Sequence, residues 1–291
     1  MAAWKIGVIG GSGLYAIDAL EDPRWVKIVT PWGPPSDELL TGRIGHAEFV
    51  FLPRHGRGHR LPPSDVNARA NIDALKRLGC TDVIAISAVG SLREELPPGC
   101  FVIVDQFIDR TIARAHSFFG PGLVAHVSMA DPTCARLSGL CAGAAEAAGA
   151  PVTRGGTYLA MEGPQFSSRA ESLLYRQGGC DVIGMTAMPE AKLAREAELP
   201  YALVGMVTDY DCWRGAGEAV EVAAVIAQLM ANADIARRLV VELAQALPAE
   251  RRPSPIDTML DSALVTAPDA RDPAMLRKLD AICARVLGRQ P

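Results

Sequence analysis

Short apolar runs alternate along this chain with longer stretches of helical period. That alternation limits the fold more than any other feature. Residues 5–9, 82–88, 101–105, 153–161, 181–186 and 201–207 read as buried strands. Between them Ala68, Ile72, Leu75 and Leu78 recur at helical spacing, with Pro63-Ser64-Asp65 at the start and Gly79 at the stop. Asp131 is placed to cap an Ala-rich helix that ends at Gly149, Ser168 to cap a helix over 169–177, and Pro189-Glu190 to open another. A long helix is expected from about 218 to 246, with Val222, Val225, Ile226, Leu229, Met230, Ala233 and Val240 on one apolar face. Residues 25–33 and 38–54 read as strands of a meander turning near Gly45-His46. The pattern predicts an α/β fold: a single domain with a mixed, mostly parallel twisted sheet and helices on both faces. Residues 1–247 are expected to form it. After the breaks at Pro248, Pro253 and Pro255, residues 248–291 are expected as a helical extension packing on the same domain, with a last amphipathic helix on Leu276, Leu279, Cys283 and Val286.

Composition removes several classes of function. A net charge of −4 over 291 residues gives no basic footprint for nucleic acid. No apolar run reaches membrane-spanning length, and the chain enters its first strand without a signal-peptide pattern, so a cytoplasmic protein is expected. The cysteines at 80, 100, 134, 141, 180, 212 and 283 form no C-x-x-C pair and no zinc spacing with histidine. Free buried thiols and no metal are expected.

In an open α/β sheet, ligands sit beyond the carboxyl ends of the strands. Here those ends carry the polar residues. Gly10-Gly11-Ser12-Gly13-Leu14 is a turn that brings backbone and a hydroxyl close to an anion, though it is neither a Walker loop nor a full dinucleotide fingerprint. Arg54-His55-Gly56-Arg57-Gly58-His59-Arg60 is a local cationic loop suited to cradling an anion. Ser87 and Thr186 close two further strands. Ser12, Arg54, His55, Ser87 and Thr186 together could surround a phosphate without a metal. At a fifth strand end stand Asp209 and Asp211, spaced so that on an extended segment both point one way. A phosphate site beside two acids suggests group transfer to or from phosphate, with a general acid protonating the leaving group. Residues 110–130, holding His116, His126 and Phe118-Phe119-Gly120-Pro121-Gly122, read as a functional loop or a subunit contact.

Seven stretches now make the chain recognisable: Gly10-Gly11-Ser12-Gly13-Leu14, Arg54-His55-Gly56-Arg57, Ala88-Val89-Gly90-Ser91-Leu92-Arg93-Glu94-Glu95, Asp105-Gln106-Phe107-Ile108-Asp109-Arg110-Thr111, Glu162-Gly163-Pro164-Gln165-Phe166-Ser167-Ser168-Arg169-Ala170-Glu171, Met185-Thr186-Ala187-Met188-Pro189-Glu190 and Thr208-Asp209-Tyr210-Asp211-Cys212-Trp213. In this order they closely resemble the methylthioadenosine phosphorylase branch of the trimeric purine nucleoside phosphorylases, from about residue 5 to about 246. The resemblance implies a nucleoside phosphorylase-like fold, a pentosyltransferase of methionine and purine salvage, and a homotrimer or dimer of trimers. It implies no cofactor, inorganic phosphate being a co-substrate. The reaction it implies converts 5′-methylthioadenosine and phosphate into adenine and 5-methylthioribose 1-phosphate. Phosphate attacks the anomeric carbon opposite the departing base, through an oxocarbenium-like transition state. It places phosphate at Ser12, Arg54, His55, Ser87, Ala88 and Thr186, stacks the base on Phe166 and holds the ribose hydroxyls on the Met185 backbone. It sets Asp209 against purine N7 and Asp211 against the 6-amino group, and sends His126 to the methylthio pocket of a neighbouring subunit.

The chemistry agrees. Adenine leaves poorly as an anion, so N7 needs a proton or a strong hydrogen bond. A free aspartic acid, with pKa ~3.9, is too acidic to donate at neutral pH, and burial or the like charge of Asp211 would raise it. An Asp211 carboxylate accepts from an exocyclic amine, whereas a 6-oxo group would offer it only a second acceptor. Relatives acting on 6-oxopurines place a glutamate where this chain has Ser167. Relatives binding a free 5′-hydroxyl use a histidine where Val222 falls, and an apolar residue there favours a methylthio or deoxy substituent by on the order of 1–3 kcal/mol. Two alternatives stand beside this reading: a 6-oxopurine enzyme acting on methylthioinosine or inosine, against which the two acids argue, and a catalytically silent nucleoside-binding protein. The loop 113–125 and the tail after 248 depart most from the family pattern. Such a tail is expected to help close the 5′ pocket, which leaves 5′-deoxyadenosine open as a second substrate.

Overall fold

The computed structural model describes residues 4–11, 13–14, 16–214 and 222–288, without the side chains of Val222 and Ala224. Eleven strands form one sheet: β1 (Lys5–Gly10), β2 (Glu21–Val26), β3 (Leu39–Ile44), β4 (Ala47–Pro53), β5 (Asp82–Ser91), β6 (Phe101–Val104), β7 (Gln106–Asp109), β8 (Val152–Arg154), β9 (Thr157–Ala160), β10 (Val182–Gly184) and β11 (Tyr201–Asp209). The helices are α1 (Ala68–Arg77), α2 (Ala135–Ala147), α3 (Arg169–Gln177), α4 (Ala187–Glu196), α5 (Val222–Ala246) and α6 (Pro273–Lys278), with short 3₁₀ turns at Pro63–Asp65, Pro255–Asp261 and Pro268–Ala270. The pairings of β1 with β4 and β5, β5 with β11, β6 with β8, and β9 with β7 and β10 are parallel; the others are antiparallel.

Period-two alternation in the central strands feeds two cores. Val83 and Ala85 of β5, with Leu203 and Val207 of β11, pack with residues of α1 and α4. Ile84 and Ile86, with Val204 and Met206, pack with residues of α2 and α5. Helices therefore cover both faces, as expected.

The centre of the sheet divides, and the division positions the site. β1 pairs with β5 only as far as Ile9 opposite Ala85. β10 takes up that edge of β5 later, at Gly90 and Ser91, and in the antiparallel sense. Residues 86–89 of β5 thus lie between two departing neighbours, while β11 continues along the other edge. A crevice opens there.

Several local expectations shift. The first meander strand lies at Glu21–Val26 rather than 25–33, and 38–54 is a hairpin of β3 and β4 with Gly45 at φ +60°. The run 153–161 splits where Gly155 and Gly156 adopt positive φ, so β8 joins β6 and β9 joins β7 and β10. Asp131 does not cap α2: that helix starts after Cys134, and the Asp131 carbonyl accepts instead from Arg195. Asn67, rather than the Pro63 segment, caps α1. Ser168 caps α3 as expected, in a reciprocal capping box with Glu171. The first residues of the long helix expected from 218 lie outside the described residues, and Ile226 and Met230 on its expected apolar face are exposed. The final helix spans only six residues. Leu260, Ala263, Leu279, Ile282 and Cys283 nonetheless join the core against α1 and α4. Among the described residues no helix is long and apolar enough to cross a membrane.

Candidate active site

The crevice is a cavity of about 290 Å³. Its floor is Ile86, Ser87, Ala88 and Val89 of β5, the residues between the two departing strands. Gly11 and Leu14 border it from the turn after β1, although Ser12 lies outside the described residues. Of the other residues expected to hold phosphate, Arg54, His55, Ser87, Ala88 and Thr186 all line this one cavity. The Ser87 and Thr186 hydroxyls stand 3.2 Å apart.

Arg54 is buried and already paired. Its Nε donates to Glu190 Oε1 at 2.5 Å and its Nη2 to Glu190 Oε2 at 3.2 Å, while Nη1 and Nη2 also reach the Ile86 and Ile9 carbonyls at 3.3 and 3.4 Å. The Tyr201 hydroxyl lies 3.4 Å from Glu190 Oε2. A buried guanidinium needs such a partner, since an unpaired charge would be strongly destabilised. Among the described residues this leaves one N–H of Arg54 for an incoming anion.

His55 is neutral. Burial, then the adjacent Arg54 charge, lowers its pKa to about 4. Its Nδ1 lies 2.9 Å from the Leu61 carbonyl, which can only accept, so Nδ1 carries the proton and Nε2 the lone pair. The ring stacks on His59 at a centroid distance of 4.3 Å, and His59 also lines the cavity.

Asp209 and Asp211 line the same cavity. They meet for a reason other than strand alternation. The strand ends at Asp209; Asp211 has φ +50°, and its N–H donates back to Asp209 Oδ1 at 2.8 Å. Asp209 Oδ2 accepts from the Thr208 hydroxyl at 2.7 Å. Burial pushes both carboxyls above the usual range, and for Asp211 the Asp209 charge adds to it. Among the described residues no hydrogen-bond partner meets the buried Asp211 Oδ2. An unsatisfied buried acceptor is costly, and an amino group of a ligand would complete it. Gly90 permits the approach: a Cβ there would lie 3.1 Å from Asp209 Oδ1 and from Ile183.

Phe166, 49% exposed, and Met185 border the same cavity. Ser167 does not line it. Its hydroxyl faces Met161 Sδ at 3.7 Å and its carbonyl accepts from Cys212 Sγ at 3.0 Å. The Val222 side chain lies outside the described residues, but Val225 and Leu229, one and two turns on, give the cavity an apolar wall. His126 is exposed and away from this chain's cavity, tied by its backbone N–H to the Ala263 carbonyl at 2.9 Å. No described tail residue lines the cavity either.

Sequence reasoning missed Glu190, read only as a helix start; the need of a buried Arg54 for a carboxylate was the available signal. It also missed Gly90, whose role rests on a contact between strands. Among the described residues no group of three or more His, Cys, Asp and Glu side chains is arranged to hold a metal ion.

A family model described as the phosphorylase superfamily matches residues 5–245. The chain is 64% identical over 284 residues to the S-methyl-5′-thioadenosine phosphorylase of Cereibacter sphaeroides, covering 97% of this chain and 98% of that one. It is 58% identical over 284 residues to that of Bradyrhizobium diazoefficiens, with the same coverage. These alignments include most of the tail, which is therefore shared with these relatives rather than foreign to the family. Among solved structures, a methylthioadenosine phosphorylase from an antarctic soil metagenomic library superposes with a TM-score of 0.91 at 47% identity, over 97% of this chain and 99% of that one. The Schistosoma mansoni methylthioadenosine phosphorylase in complex with adenine gives 0.81 at 38% identity, over 85% and 93%. The chain belongs to the phosphorylase superfamily and, within it, to the S-methyl-5′-thioadenosine phosphorylase family.

Proposed function

We propose that this protein is a pentosyltransferase that cleaves 5′-methylthioadenosine with phosphate, giving adenine and 5-methylthioribose 1-phosphate. The observation that carries the reading is one cavity lined by the Ser87 and Thr186 hydroxyls, Arg54 and His55 together with Asp209 and the buried Asp211. Phosphate meets the Ser87 and Thr186 hydroxyls, the Ala88 backbone, the last Arg54 N–H and the turn holding Ser12. His55 Nε2 accepts a hydrogen bond from a protonated phosphate oxygen. Met185 holds the sugar and Phe166 covers the base. Asp209, raised by burial, gives N7 its proton as the glycosidic bond breaks, and the electron pair leaves with neutral adenine. The unpartnered oxygen of Asp211 accepts the 6-amino group. The apolar wall of Val225 and Leu229 takes the methylthio end. Neither metal nor organic cofactor has a role in this scheme.

The same reading includes a homotrimer. His126 does not line its own cavity, and exposed apolar side chains flank its loop: Ile112 at 86% and Val265 at 63%. A neighbouring subunit would cover them and receive His126. A cytoplasmic location belongs to the proposal too, supported by seven cysteines without a disulfide. The test is adenine release from methylthioadenosine by purified protein. Release that requires phosphate is expected, and tight nucleoside binding without turnover would favour a silent binding protein.

A further inference from the structure

The loop after β7 enters the site's framework through one side chain. Arg114 is almost wholly buried, and its guanidinium reaches two other segments. Nη1 donates to the Met185 and Met188 carbonyls, Nη2 to the Glu162 carbonyl, and Nε to Glu162 Oε1 at 3.3 Å. Glu162 in turn accepts from the Ile112 and Ala113 N–H groups and from the Ser64 hydroxyl. Burial would raise its carboxyl, but these bonds and the Arg114 charge bring it down to about 2.

The consequence lies in one peptide plane. The Met185 C=O and the Thr186 N–H belong to a single planar trans unit, in which they point opposite ways. Arg114 holds the carbonyl end. At the other end the Tyr158 hydroxyl oxygen accepts from the Thr186 N–H at 3.3 Å. Tyr158 is fully buried, and a side chain at Gly184 would collide with its hydroxyl. Met185 and Thr186 both line the cavity, whereas Arg114 and Tyr158 do not.

We propose that Arg114 and Tyr158 are positioning residues that grip the Met185–Thr186 peptide at its two ends and so fix where sugar and phosphate meet. This rests on the reading of the cavity as a ribose and phosphate pocket. Arg114 sits in the irregular 110–130 segment, so ordering that loop and aligning the peptide are coupled. A loop that meets a neighbouring subunit would thereby link assembly to the reacting geometry.

Two variants test the grip. Arg114→Lys keeps the charge but lacks the planar fork that reaches several carbonyls at once. Tyr158→Phe removes only the acceptor oxygen, and serves if the lysine variant does not fold. Steady-state kinetics should show KM for phosphate and KM for methylthioadenosine rising together by about tenfold. Product inhibition by adenine should stay within about twofold, because Asp209 and Asp211 hang on β11 and not on this peptide. Michaelis constants unchanged in either folded variant would overturn the proposal, as would adenine inhibition weakened in parallel, which marks general loosening. If the unsubstituted protein does not turn over methylthioadenosine, the functional reading fails by itself. The grip is then judged by calorimetric phosphate affinity, which must still fall about tenfold in both variants.

Discussion

A carboxylic acid donates only while it holds its proton, and Asp209 stands where burial favours the protonated form. Its two hydrogen bonds, from the Thr208 hydroxyl and the Asp211 N–H, favour the carboxylate and oppose that shift. The outcome is a raised pKa, so the donor should be lost as pH climbs through it. Asp209→Asn removes the proton and keeps the shape. Turnover on methylthioadenosine should fall by about 10²-fold or more, the range of a general acid, while calorimetric phosphate binding stays unchanged. The alkaline limb of the kcat profile that belongs to this group should vanish with it. A variant keeping most of its activity would remove Asp209 from the role. The neighbouring Asp211 was legible as a partner from the i, i+2 spacing, but the cause of the pairing was not. A left-handed backbone at a non-glycine residue is a property of the folded turn, with no sequence signature here.

At the scale of elements, the alternation of strands and helices was legible because each central strand feeds a different core on each face. The misplaced features share a cause: they depend on partners distant in sequence. β2 is an edge strand with an exposed pattern, so apolar periodicity pointed past it to 25–33. Glu196, near the end of α4, was silent for the same reason. Its buried carboxyl accepts from the Ser117 hydroxyl and the Phe118 N–H, both at 2.7 Å, and so ties α4 to the 110–130 loop. Burial pushes its pKa from 4.5 to about 7. Between those values the folded protein binds more protons than the unfolded chain, so stability from this group is full below 4.5 and is lost as pH rises through 7. Thermal melts across that window should show Tm of the unsubstituted protein dropping relative to Glu196→Gln as pH rises. Parallel curves would contradict the assignment.

At the scale of the whole molecule, the tail after 248 is part of the domain's core. Pro248, Pro253 and Pro255 set it off in the sequence, and Leu260, Leu279 and Ile282 complete the core over α1 and α4. Salt links to buried acids fasten it as well: Arg285 pairs with Glu198, and Arg251 with Asp82. Assembly is a property that a single chain does not display. His126 and the exposed apolar residues around it suit a neighbour, and sedimentation should give a trimer or its dimer. A monomer with full activity would contradict that.

In the proposed reaction the crevice brings phosphate to a 6-aminopurine nucleoside. Initial rates on methylthioadenosine and methylthioinosine, each with and without phosphate, test it most directly. Adenine release that depends on phosphate is expected, with a catalytic efficiency well above that for methylthioinosine. Phosphate-independent release, or a preference for the 6-oxo substrate, would contradict it.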